Sequence, residues 1–174
     1  MPIPSWQYKV WNKKGQKGTA ENHYKTMDLD SICNLPVSSI AAPNCTLFMW
    51  VTFPLLQDAF KVIEAWSFQY KTIAFVWIKK NKKSPTLFWG MGHWTRSNGE
   101  ICILATKGKP KRISAKVHQV IESPIEEHSK KPDEARNRIV QLMGDLPRIE
   151  LFARQKSPGW DAWGDEVDSD ITLI

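Results

Sequence analysis

The chain has no apolar run approaching the ~20 residues that a membrane-spanning helix requires, and its amino terminus lacks the basic-then-apolar order of a secretory signal. Together these absences lead to the expectation of a cytoplasmic protein with no membrane contact. Cysteine is scarce: Cys33, Cys45 and Cys102 stand far apart with no C-x-x-C spacing, which argues against a disulfide framework and against a structural zinc site. The three thiols are expected to act as small buried hydrophobes. His23 and His93 find no third or fourth partner at metal spacing, so hydrogen-bonding or core roles fit them better and no metal is expected. Internal repeats are also absent. A length of 174 residues suits one core and is too short for two ordinary ones.

Acidic residues are in deficit, 18 against 24 basic for a formal net charge of +6, and the excess is clustered. One basic group holds Lys79, Lys80, Lys82 and Lys83; another holds Lys107, Lys109, Lys111, Arg112 and Lys116, while the last ten residues are acidic. Clustered cations beside a neutral body suggest a polyanion, nucleic acid foremost. Solvated loops without a partner are the other reading.

Aromatics are concentrated in the opening stretch, where Trp6, Tyr8 and Trp11 precede a polar, Lys/Gly-rich run at 12–19 and then A-E-N-H-Y. Such a pattern suits a flat base on an anionic backbone, or else an arm whose rings plug the core. Residues 28–35 have an acidic first turn and a stop before Pro36, which predicts a short helix. The run T-L-F-M-W-V-T at 46–52 predicts a strand buried on both faces. Leu55, Leu56, Ala59, Phe60, Ile63 and Trp66 recur at helical spacing, and T-I-A-F-V-W-I at 72–78 predicts a second buried strand. Strand, helix, strand with short connections reads as a βαβ unit, economically placed in a parallel sheet.

From 79 to 99 the chain is basic and Gly-rich, too long and polar for a simple connector, which marks a functional loop. Further strands are expected at 100–106, at 116–121 with weaker patterning, and at 149–153. A helix opens at K-P-D-E (131–134), carries Ala135, Ile139, Leu142 and Met143, and ends at Gly144. Residues 154–166 read as a polar loop and 168–174 as a frayed acidic tail. The expected organisation is a single domain over 1–167 followed by that tail.

Taken in order, P-S-W-Q-Y, A-E-N-H-Y, L-F-M-W-V-T, F-V-W-I-K, G-H-W-T-R-S-N-G-E-I-C-I-L-A-T-K-G-K-P, H-S-K-K-P-D-E, I-E-L-F-A-R and P-G-W-D-A-W-G-D-E resemble the MT-A70-like adenine N6-methyltransferases, which act on RNA or DNA. The resemblance covers nearly the whole chain. It implies an α/β fold: a Rossmann-like methyltransferase sheet in permuted motif order, helices on both faces, here lacking its amino-terminal catalytic strand. It also implies S-adenosylmethionine as cofactor, and it explains the lack of a G-x-G-x-x-G fingerprint.

Such enzymes carry a D-P-P-W motif whose carboxylate and carbonyl accept hydrogen bonds from the exocyclic amine while the aromatic packs on the base. Here the tetrapeptide is Ile3-Pro4-Ser5-Trp6, and isoleucine offers no acceptor. A truncated or altered start would account for this, as would a homologue that no longer methylates and serves as a nucleic-acid-binding module or a partner of an active enzyme. The resemblance places Pro4, Ser5, Trp6 and Tyr8 at the catalytic site. It gives cofactor roles to Lys131 (the methionyl carboxylate), Arg154 and Ser157 (ribose), and Asp165 and Glu166 (ribose or adenine). The alternative is that Lys131 and Arg154 are surface charges and the two acids merely begin the tail.

Extruding a base from a duplex pairs a narrow aromatic site with a basic rim. Loops 9–24 and 79–99 are the expected gates. Lys13, Lys14, Lys17, Lys80, Lys82, Lys83 and Arg96 would contact phosphate, and His23, Tyr24, His93 and Trp94 lie in the same nucleic-acid-binding loops. DNA is favoured over RNA because so short a chain lacks appended RNA-reading domains, and a dimer of like or unlike chains is compatible with this reading.

Overall fold

The computed structural model describes residues 26–92, 94–126 and 130–173. Two short helices, α1 (Leu29–Cys33) and α2 (Val37–Ile40), precede strand β1 (Cys45–Val51). The Asp28 side chain caps α1 by accepting from the Ser31 backbone N–H at 2.7 Å, the usual remedy for unsatisfied first-turn donors. A 3-10 turn (Phe53–Leu55) leads into α3 (Leu56–Ala65), followed by β2 (Gln69–Lys80), β3 (Glu100–Lys107), β4 (Val120–Pro124), α4 (Asp133–Met143), β5 (Ile149–Leu151) and β6 (Asp161–Trp163).

The main sheet has the order β1-β3-β2-β4. β3 runs antiparallel to both β1 and β2, and only β2 and β4 pair in parallel. The expected βαβ unit exists, since β1 and β2 point the same way with α3 between them in sequence. The expected parallel pairing does not, because β3 inserts between them and makes the sheet mixed. Periodicity reports which faces are buried and is blind to which strand later fills a gap.

Strand parity divides the apolar residues between two cores. Leu47, Met49 and Val51 of β1, with Ile101, Ile103 and Ala105 of β3, pack with Ile32, Ala59, Val62, Ile63 and Trp66 from α1 and α3. On the other face Phe48, Trp50, Phe75, Trp77 and Cys102 pack against Ala135 and Ile139 of α4. Helices therefore cover both faces of an α/β sheet, as expected. The register of β2 against β3 shifts between Ile73 and Phe75, and this bulge puts Ala74 beside Phe75 on the α4 face while Ile73 and Val76 serve the other core. α3 ends in a Schellman motif: Ser67 N–H donates to Glu64 O and Phe68 N–H to Ile63 O, both at 2.9 Å, with Ser67 at φ 64°. The Trp66 indole N–H, fully buried, donates to Ile32 O at 2.9 Å and ties α3 to α1.

Three expectations change. β4 lies at Val120–Pro124 rather than at 116–121. The polar loop at 154–166 contains β6, which pairs in parallel with β5. The segment read as a frayed tail is held: Asp170 accepts from the Ala162 N–H at 2.9 Å, Asp170 pairs with Lys156, and Leu173 is buried in the first core. Cys102 is buried as expected, whereas Cys33 and Cys45 are half-buried; all three are free thiols. Among the described residues no helix is long and apolar enough to cross a membrane, and no group of three or more metal-ligating side chains converges.

Candidate functional site

One end of the main sheet gathers the last residues of β2, the first of β3 and the lead-in to α4. Lys79 Nζ lies 2.5 Å from Glu100 Oε1, and Lys131 Nζ lies 2.6 Å from Glu100 Oε2. Glu100 and Lys131 are 9% and 7% exposed, so both charges are largely desolvated. The Lys79 ammonium also sits 5.0 Å from the Trp77 ring centroid, a cation–π contact. Burial pushes the Glu100 carboxyl up, but the ammonium groups of Lys131 and then Lys79 outweigh it and hold the group below its ordinary value.

Among the described residues two cations surround one carboxylate, and Lys79 alone would neutralise it. The Lys131 ammonium meets Glu100 Oε2 in an ion pair at 2.6 Å. A buried excess positive charge is costly unless an anion meets it. The cluster is thus suited to an anionic ligand group such as a carboxylate, delivered to Lys131. Pro132, whose missing N–H sits where the helix needs no donor, places Lys131 immediately ahead of α4.

A second grouping lies beyond β5. Arg154 Nε donates to Glu166 Oε1 at 2.8 Å, with both side chains about two-fifths exposed. Backbone geometry brings them together: Ala153 N–H donates to Trp163 O at 2.9 Å, and a Cβ on Gly164 would meet Ala153 O at 2.3 Å. Only glycine permits so close an approach. Phe152, at φ 58°, turns the chain out of β5 and packs edge-on to Trp163 with centroids 5.4 Å apart. Asp165 is exposed beside Glu166; Ser157 is half-buried, and its carbonyl accepts from Trp160 N–H at 3.1 Å.

The two groupings are linked through α4. Arg136 donates from Nε and NH2 to both oxygens of Glu150, at 2.9 and 3.0 Å, and from NH1 to Asp133 at 2.6 Å. Glu150 is 4% exposed and stands in β5, just before Arg154.

The loop at 81–99 rises from the same sheet end and is a closed structure. Asn98 Oδ1 accepts from Lys79 N–H at 2.9 Å, and Asn98 Nδ2 donates to Lys79 O at 2.9 Å and to Phe88 O at 2.5 Å. Asn81 bonds Thr86 and Leu87. Lys82 and Lys83 are exposed on this loop, with Trp94 99% and Met91 88% exposed at its tip. Two expected phosphate contacts are otherwise engaged: Lys80 pairs with Glu122 at 2.6 Å, and Arg96 donates to the carbonyls of Gly90 and Trp89 at 3.0 and 3.2 Å, bracing the loop from within. Pro4, Ser5, Trp6, Tyr8, Lys13, Lys14, Lys17, His23, Tyr24 and His93 lie outside the described residues.

Sequence reasoning did not single out Glu100, Lys79 as its partner, Asn98, Arg136 or Glu150 as site-forming residues. For Glu100 the signal was a carboxylate opening an otherwise apolar strand, E-I-C-I-L-A-T, where burial demands a counter-charge.

The MT-A70 family model matches residues 2–166, a span that includes both groupings. The chain is 36% identical over 151 residues to the type II methyltransferase M.MunI of Mycoplasma sp, covering 86% of this chain and 62% of that protein. It is 29% identical over 154 residues to an MT-A70-like N(6)-adenosine-methyltransferase of Arabidopsis thaliana, and 29% identical over 126 residues to the human N(6)-adenosine-methyltransferase catalytic subunit METTL3. Those alignments cover 87% and 70% of this chain and 22% of each relative. The chain thus spans about three-fifths of M.MunI and about a fifth of the two eukaryotic relatives. With the match running over nearly its whole length, the chain belongs to the MT-A70 family.

Proposed function

We propose that the protein is an S-adenosylmethionine-dependent methyltransferase acting on the N6 amine of adenine in nucleic acid. The observation that carries this reading is the family match over residues 2–166, within which Lys131 stands as a buried excess cation and Arg154 and Glu166 are paired. When bound, the cofactor supplies an electrophilic methyl group on a sulfonium. The chain's own residues bind and orient it. Lys131 takes the methionyl carboxylate by a charge-assisted contact; Arg154, Ser157, Asp165 and Glu166 take the ribose and adenine hydrogen bonds. Pro4, Ser5, Trp6 and Tyr8 hold the target base, and Lys82, Lys83 and the tip around Trp94 face the nucleic acid.

DNA is the favoured substrate, in keeping with the relative M.MunI, a type II methyltransferase. The cytoplasm is the proposed compartment, in keeping with three free thiols, and a dimer with a like or unlike chain is part of the same reading. Transfer of labelled methyl from S-adenosylmethionine to adenine in duplex DNA, with single-stranded RNA in parallel, tests the reading. Cofactor binding without transfer to either would overturn the catalytic half.

A second reading rests on Ile3, which stands where the family motif has its acid: a silent nucleic-acid-binding subunit of an active methyltransferase. It requires nucleic-acid binding with no calorimetric signal for S-adenosylmethionine.

A further inference from the structure

Among the described lysines and arginines, most have a carboxylate within 4.0 Å: Lys61, Lys79, Lys80, Lys130, Lys131, Arg136, Arg138, Arg148, Arg154 and Lys156 all do. Apart from Lys71, those without one fall in two segments. The first is the 81–99 loop already described. The second is residues 107–116, with Lys107, Lys109, Lys111, Arg112 and Lys116, and it contains no acidic residue.

This second segment lies at the far end of the sheet. β3 begins at Glu100 in the charge cluster and ends at Lys107, which is opposite Cys45 at the start of β1. At about 3.3 Å per residue, the length of β3 separates the two ends by roughly 25 Å. Lys109, Lys111, Arg112 and Lys116 are exposed.

The segment's backbone is fixed in place. Lys109 N–H donates to Asn44 Oδ1 at 2.7 Å, Ile113 N–H to Leu142 O at 2.8 Å, and Lys116 N–H to Ser114 Oγ at 3.2 Å. Gly108 takes φ 65°, and a Cβ there would meet Pro43 O at 2.2 Å. Lys107 Nζ donates to Ser38 O at 3.0 Å. The cations are therefore displayed from an ordered scaffold, and a polyanion meeting them orders little backbone on binding.

We infer that residues 107–116 form a second nucleic-acid surface, contacting phosphodiester backbone at the end of the sheet opposite the Glu100–Lys131 cluster. Cations with no carboxylate within 4.0 Å among the described residues fit a sequence-independent, salt-sensitive contact. Its role is to hold the substrate strand at this far end of the sheet, which lengthens the footprint without adding specificity. The inference rests on the proposed nucleic-acid substrate but not on methyl transfer.

The test is fluorescence anisotropy of a labelled DNA duplex, with single-stranded RNA in parallel, across a salt series. The proteins compared are the unaltered chain, K109Q/K111Q/R112Q, and the control K61Q/K71Q. The expected result is a log K against log salt slope reduced in magnitude by about 2 to 3 on duplex in the triple variant. The control should keep the original slope, and the thermal midpoints should be unchanged. The single variant K109Q, expected to reduce the slope by about 1, guards against a triple variant that folds poorly. A slope in the triple variant no different from that of the control overturns the inference, even if the protein methylates DNA. Binding with the expected slope loss but no methyl transfer supports it while removing the proposed activity.

Discussion

At the scale of single residues, Glu100 is the pivot. Its folded value lies below the unfolded one, so its stabilising contribution is complete above the ordinary carboxylate range and is lost as pH falls through the depressed value. Denaturant unfolding between neutral pH and about pH 3 should show an acid-side loss of stability that is smaller in Glu100→Gln. The same variant should be less stable at neutral pH by about 3 to 5 kcal/mol, because two cations lose their shared counter-charge. Lys131→Gln behaves differently, since it leaves Lys79 and Glu100 as a neutral pair. It should fold, and calorimetry should show about ten- to a hundredfold weaker S-adenosylmethionine binding, the range of one lost charge-assisted hydrogen bond; unchanged affinity would remove Lys131 from the cofactor site. Cys102 is fully buried, and desolvation pushes its thiol far up, so iodoacetamide should modify it only after unfolding. Sequence could name Lys131 through the K-P-D-E motif, but not Glu100, whose role depends on which strand end meets α4.

At the scale of elements, the helices and strands were largely legible because their signals are local. Pro36 and Gly144 stop helices where expected, and the alternation in β1 sorts its residues between the two cores. What was not legible is pairwise. The bulge in β2 and the short β5–β6 pair depend on partners distant in sequence, and Asp170 anchors a segment whose composition alone reads as solvent-loving. Two element-level tests follow. Ser67 holds a left-handed conformation at the end of α3, so Ser67→Gly should raise stability by up to about 1 kcal/mol in chemical unfolding. Arg136 joins α4 to β5 through buried Glu150. Arg136→Ala should cost about 3 to 5 kcal/mol, whereas the double variant Arg136→Met with Glu150→Leu should recover much of that loss; equal losses would mean that packing, not charge, dominates the joint.

At the scale of the whole molecule, an α/β body with helices on both faces was readable from the order of motifs, while the insertion of antiparallel β3 between β1 and β2 was not. That insertion has a consequence for how the molecule can change. Because β2 and β3 are neighbours, the 81–99 segment is the connection of a hairpin, and Asn98 fastens its base with two hydrogen bonds to Lys79 and one to Phe88 O. Residues beyond that clasp can lengthen, shorten or exchange side chains at small entropic cost without displacing Lys79 or Glu100. The fold thereby separates an exposed fingertip, where Met91 and Trp94 meet solvent, from a buried palm of charge at Glu100 and Lys131. Substitutions at the first should leave the second intact.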